Sequence, residues 1–265
     1  MNEQDILERL NFYYENKDWD NFKNEIDLTN NLFIDKYKIL HELIYDFVPV
    51  EIVEIALNKG ANPNISNVKN KTPIFYLTNN TKNSFEKFKL FIDFNANLNF
   101  IDFYEDNFLM NDFEENIFLY VKEKGFDYYH KNDFNNNIFH NIALRDVELN
   151  QIEKYNFLKI EELDTINNGG LTPLHIATIQ LNSVLIKQLI NLGFDKEKKT
   201  LKVSESSHSD SNVQIPESLN MKQILDFYLD NPHILLPEND ENYTKYVTID
   251  IMKNLVMECI YNLNH

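Results

Sequence analysis

Apolar residues in this chain recur in short bursts at helical spacing, separated by polar stretches rich in Asn, Asp and Gly. Ile6, Leu7 and Leu10, then Trp19, Phe22 and Ile26, fall at helical spacing, which predicts one helix over 3–15 and a second over 18–28. Further bursts follow at a regular interval. His41 in YKILHELI, His140 in NNIFHNIA and His175 in LTPLHIAT each follow an apolar residue and open a helical pattern. Two intermediate rungs, Phe75 in KTPIFYLT and Leu109 in EDNFLMND, complete a ladder at 41, 75, 109, 140 and 175 with steps of 34, 34, 31 and 35. A period of this size marks an array of like units rather than one closed core.

A second ladder runs out of phase with the first. LNKGANPN at 57–64, IDFNANLN at 92–99, VKEKGFDY at 121–128, LKIEELDT at 158–165 and INLGFDKE at 190–197 each end an amphipathic segment. Gly60, Gly125 and Gly193 are suited to close a helix in the left-handed conformation, with Asn95 the next-best residue and Glu161 a weak one. The two ladders in this order resemble the ankyrin repeat, in which a turn is followed by T-P-L-H-x-A opening one helix and by L-L-x-x-G-A-D closing the next. The resemblance covers roughly residues 5–200. It is strongest at 168–197 and at GANPN, 60–64, and weakest over 98–164.

The resemblance implies an all-α fold, a solenoid of about five to six helix-turn-helix units over 1–197, with the first helix pair as an atypical cap. Beyond it, KEKKTLKVSESSHSDSNVQ is poor in large apolar residues, and 198–215 is expected to be a mobile linker or insertion. Two further helical patterns, SLNMKQILDFYLD and VTIDIMKNLVMECIYNL, place a helical pair in 216–265, expected to cap the stack.

Charge and chemistry narrow the function. Lys+Arg 25 against Asp+Glu 42 gives a net charge of −17, which opposes nucleic acid and anionic membrane and favours a basic protein as partner. With one cysteine, Cys259, neither an intramolecular disulfide nor a Cys-rich zinc site is possible. The N-terminus lacks a basic-then-apolar leader, and no run approaches 18 apolar residues, so a cytoplasmic protein, monomeric when unbound, is expected. HELIY at 41–45 has Tyr45 where a zinc-protease motif needs a second histidine, and no nucleophile elbow or phosphate loop is present. Because Phe75 and Leu109 share the rung of the histidines, that rung reads as a packing and turn-holding position. Thr172 is expected to cap the helix that Pro173 begins, with His175 reaching back to the threonine or to the neighbouring turn. No catalytic residue and no cofactor is expected.

Function is sought where the repeat departs most from its pattern, in NFIDFYEDNFLMNDFEEN at 99–116 and the turn after it. Aromatics interleaved with acids suit an interface for a basic protein, the rings supplying contact area and the carboxylates steering. Phe100, Phe108 and Phe134 are expected to pack between units. Asp102, Tyr104, Glu105, Asp106, Asp112, Tyr128 and Tyr129 are expected at the partner-binding surface, with Asp102, Glu105 and Asp106 in solvent. Ankyrin-like proteins of strongly acidic charge resemble immunity proteins that neutralise a toxin. The alternative is an effector that binds a host protein and uses 215–265 as its functional part.

Overall fold

The computed structural model describes residues 3–77, 82–111, 115–145, 147, 149, 152–200, 218–231 and 249–264, and among these it is helical with no strand. The chain divides into two compact units, 1–127 and 128–265.

The N-terminal unit begins with α1 (Glu3–Glu15) and α2 (Trp19–Asp27). The second starts at Asp18, whose carboxylate accepts from the Asn21 N–H at 3.2 Å. Leu10, Phe22 and Ile26 are buried, and the Arg9 guanidinium forks onto Glu25 at 3.0 and 2.8 Å. There follow α3 (Asn31–Lys36), α4 (Ile39–Glu42), α5 (Val50–Asn58), a 3-10 turn at Pro73–Tyr76, α6 (Lys82–Asp93), α7 (Phe108–Asn111) and α8 (Glu115–Tyr120). Ile52 and Val53 of α5, Phe88 and Phe91 of α6, and Phe108 of α7 are core residues, the Phe88 and Phe108 rings lying 5.4 Å apart. Among the described residues of this unit one lysine is buried. Lys87 of α6 donates to the carbonyls of Ile44 and Tyr45, at 3.4 and 2.5 Å, tying α6 to the loop before α5, and desolvation pushes its pKa down to about 8.

In the C-terminal unit α9 (Ile138–Leu144), a 3-10 turn at Ile152–Tyr155, α10 (Ile160–Leu163), α11 (Pro173–Ile179) and α12 (Ser183–Leu192) precede α13 (Met221–Asp230) and α14 (Ile249–Asn264). The last two pack on each other and on the α11–α12 pair. Val256, Cys259 and Leu263 form the buried stripe of α14, at helical spacing. Ser183 at the start of α12 donates to Glu258 at 2.7 Å, and Lys196 donates to the Leu263 carbonyl at 3.0 Å. Burial raises the Cys259 thiol to about 12, so it behaves as a small apolar side chain. Of the segment 198–215 read as a linker, 201–215 lies outside the described residues, as do 216 and 217. Its flanks are joined: Thr200 N–H donates to the Leu219 carbonyl at 2.9 Å, and Ser218 N–H to the Thr200 carbonyl at 3.2 Å.

The helix-closing ladder takes the expected backbone at Gly60, Asn95, Gly125 and Gly193, all at positive φ. Glu161 does not. It lies inside α10, which ends at Asp164 with φ −80°, so that unit closes without a left-handed residue.

Candidate interaction surface at the turn tips

The turns ahead of the first helices are built alike, from an anchor the sequence ladders do not contain. Asn67, Asp102, Asn132 and Asn167 each begin a five-residue turn. The anchor's N–H donates to the carbonyl four residues on, at 2.9–3.0 Å, and the residue three after it donates back to the anchor's carbonyl. The anchor's side-chain oxygen then accepts from N–H groups inside the turn: Lys69 and Lys71, Tyr104 and Asp106, Phe134 and Asn136, and Leu171. This is the self-satisfied turn that Asn and Asp favour. The third residue after each anchor, Asn70, Glu105, Asn135 or Gly170, is left-handed. Three of these are residues that tolerate positive φ; Glu105 at φ 57° is not.

Each turn delivers a helix start, and the histidines sit there. Thr172 accepts from the His175 N–H at 3.3 Å, while Thr172 N–H donates to His175 Nδ1 at 3.1 Å. Nδ1 is thus an acceptor, so Nε2 carries the proton and donates to the Lys198 carbonyl at 3.1 Å. His140 repeats this with Asn137: Asn137 N–H donates to Nδ1 at 3.2 Å, and Nε2 donates to the Leu171 carbonyl at 3.1 Å. Burial holds both rings neutral, pushing each down to about 4. With both nitrogens committed to backbone, neither ring has a lone pair or proton to offer a substrate.

The third rung is displaced by one residue from its expected position. Asn107 accepts from the Met110 N–H at 3.1 Å, so Met110 occupies the place of His140 and His175, and Leu109 is its neighbour. Both are buried, and a run of three apolar residues, Phe108, Leu109 and Met110, carries no phase of its own. Phase comes from the cap.

The expected site residues separate on this frame. Tyr104 is 61% exposed and Glu105 is exposed, both at the tip of the Asp102 turn. Asp106 is half-buried. Asp102 is not in solvent: its side chain is 1% exposed, it anchors the turn, and Lys71 Nζ lies 3.4 Å from its Oδ2. Tyr128 is also buried, edge-on to Phe157 with ring centres 5.2 Å apart, and desolvation raises its hydroxyl well above the ordinary tyrosine range. Tyr129 is half-buried and its hydroxyl accepts from the Lys159 N–H at 3.0 Å. Asp112 lies outside the described residues. Of the three phenylalanines expected to pack, Phe108 is buried and Phe100 half-buried, whereas Phe134 is 50% exposed.

Two further apolar residues at the tips, outside the expected set, are exposed, Phe103 at 66% and Val68 at 90%. Both stand one position after an anchor, on the turns at 67–71 and 102–106 of the N-terminal unit. Those two turns are joined by the Asn70 side chain, which donates to the Ile101 carbonyl at 3.0 Å. In the C-terminal unit Phe134 holds the second position after its anchor, and Asn168 donates to the carbonyls of Asp133 and Phe134, both at 2.9 Å. A ladder read on Asn67, Asp102, Asn132 and Asn167 would have found all of these positions in the sequence.

Among the described residues no group of three or more His, Cys, Asp or Glu is placed to hold a metal, and no helix is long and apolar enough to cross a membrane. What the tips offer is apolar area on fixed backbone beside carboxylates.

No family model and no curated protein matches the sequence. Solved structures do match the fold. The ankyrin repeat protein EF0377 is similar at a TM-score of 0.53 with 19% identity, over 76% of this chain and 97% of that one. A structure of the predatory endopeptidase Bd0816 from Bdellovibrio bacteriovorus in complex with the immunity protein Bd3460 is similar at 0.49 with 20% identity, over 69% and 97%. The all-helical units, the capped first helices and the likeness to EF0377 together establish an ankyrin-repeat fold.

Proposed function

We propose that this protein is a non-enzymatic binding module that engages another protein through its turn tips. The observation that carries this reading is the Phe103–Tyr104 pair, two rings left more than half in water on a turn whose backbone is already fixed. Rings held this way gain contact area on binding and lose little conformational freedom, which is how a few aromatic side chains come to dominate an interface.

A partner of basic character follows from the charge of −17 and from Glu105 and Asp106 beside the rings. In its sharper form the partner is a basic toxin or enzyme that binding neutralises. The effector reading draws on α14, where Met257 and Tyr261 are 54% and 60% exposed and offer a different face.

The test is binding of the purified protein to the products of the genes beside its own, at low and high salt. Salt-sensitive binding is expected, weakened about tenfold or more by Phe103→Ala with Tyr104→Ala, at an unchanged melting temperature. A double variant that binds like the wild type would sink the tip reading. Weakening by Met257→Lys with Tyr261→Lys instead would favour α14. Asp102 is unsuitable for this purpose, since replacing it removes the anchor of the turn.

A further inference from the structure

The N-terminal unit contains a cavity of about 220 Å3 that the turn tips do not use. Its lining is mixed: Leu7 and Leu10 of α1, Phe22 of α2 and Ile39 of α4 supply the apolar part, with the rings of Tyr14 and Tyr37 beside them. Asn11 and Glu42 also line it, and both are exposed, so the cavity opens to water. The Tyr14 hydroxyl is committed, donating to the Glu42 carbonyl at 3.1 Å. Neither the Glu42 carboxylate nor the Asn11 amide has an ion pair or hydrogen bond among the described residues. A hollow of mixed lining that includes aliphatic side chains and one exposed acid, Glu42, unpaired among the described residues, suits a ligand with an aliphatic stem and a cationic head.

The surroundings say how such a group would be presented. Tyr14 is the inner member of an aromatic cluster: Phe47 lies 5.5 Å from it, and Tyr45 stacks on Phe47 at 5.9 Å and 15°. Tyr45 and Phe47 are 52% and 46% exposed. The outer ring already receives a cation, since Lys17 Nζ stands 5.3 Å from the Phe47 centre. A free amine would use only the cavity. A peptide would use the exposed rings as well.

We propose that the cavity takes an arginine or lysine side chain from a peptide segment of a partner protein, its stem in the apolar part of the lining, its head on Glu42 and its flanking residues on Tyr45 and Phe47. The site is made of other residues than the turn tips and goes beyond the reading given for them.

The chain's single tryptophan, Trp19, lies 6.0 Å from the Tyr14 ring and 6.3 Å from Phe47, so its fluorescence reports on the site. The probes are acetylated hexa-arginine amide, the same peptide with citrulline, and n-butylguanidinium. Saturable perturbation by hexa-arginine is expected, weakened about fivefold or more by Glu42→Gln and by Leu7→Phe, which fills the cavity and leaves the carboxylate in place. Glu51→Gln, an exposed glutamate on α5, is expected to have no such effect. Equal weakening by Glu42→Gln and Glu51→Gln, or equal binding of the citrulline peptide, would overturn the proposal. Binding of n-butylguanidinium as tight as the peptide would overturn the peptide source. Loss of hexa-arginine binding on Phe103→Ala with Tyr104→Ala, with Glu42→Gln silent, would move it to the tips and leave only the tip reading standing.

Discussion

The same rung is built in two ways in the two units. In the C-terminal unit Asn137 with His140, and Thr172 with His175, close reciprocal caps and open helices of seven residues. In the N-terminal unit Asn107 caps its start through the Met110 N–H alone, and the other two starts, Lys38 with His41 and Thr72 with Phe75, have no side-chain cap and open helices of four residues, the second of them 3-10. Lys38 is left-handed and offers no side-chain cap. His41 keeps its outer bond, Nε2 to the Lys71 carbonyl at 2.9 Å, but its Nδ1 is buried without a partner, and so is the Thr72 hydroxyl. A cap that satisfies the first N–H groups lets a helix run; a rung that leaves its own polar atoms orphaned does not. The comparison teaches that a histidine at this rung is worth little alone and much with the right residue three positions before it.

Acid is expected to separate the units most strongly. In the unfolded chain the rings of His140 and His175 take up protons as pH falls below 6.5, whereas in the folded protein they stay neutral down to about 4. The unfolded state therefore binds more protons across that window, and stability falls through it by about 3 kcal/mol for each ring. Hydrogen exchange followed from pH 7 to pH 4 is expected to show amides of 138–144 and 173–179 losing protection before those of 52–57. The opposite order would break the comparison.

Next in size is removal of one ring. His175→Phe strips a partner from the Thr172 N–H and the Lys198 carbonyl and is expected to cost about 3 kcal/mol in denaturant unfolding, with a flatter pH dependence between 6.5 and 4. His41→Phe loses one bond but also removes an orphaned nitrogen, so about 1 kcal/mol or less is expected, and Phe75 shows that a phenyl ring fits the rung. Equal losses would mean that the caps are not what distinguishes the units. The smallest effect sharpens the comparison from the other side. Phe75→His gives the Thr72 hydroxyl the partner it lacks, and a gain of about 1 kcal/mol in melting experiments is expected. A loss of stability there would mean that ring volume outweighs the cap.

Legibility in the sequence followed the strength of local chemistry. Thr172, Pro173 and His175 could be read because a cap, a first-turn proline and a ring three residues on are bonded within one turn of chain. Met110 could not be told from Leu109 by periodicity, because every residue of 108–110 is apolar and the phase is set by one oxygen of Asn107. Asp102 was misread for the reverse reason. An acid in a turn is ordinarily solvated, and here the turn is the carboxylate's own ligand shell, completed by Lys71 from the turn before. Phe103 and Phe134 are exposed although an aromatic ring ordinarily packs, because each stands within two positions of a turn anchor, Asp102 or Asn132, on a tip that points away from its neighbours in the unit's core.

Sequence by itself determined the period, the class of fold and the acidic balance, because each is a sum over many residues or a bond made between near neighbours. Tertiary structure decided which of the aromatics and acids face water. That choice rests on bonds across about thirty residues, such as Asn70 to Ile101 or Tyr129 to Lys159, and on whether a ring such as Tyr128 finds another to lie against. No local pattern specifies such contacts, because the energy that fixes them belongs to the neighbouring repeat.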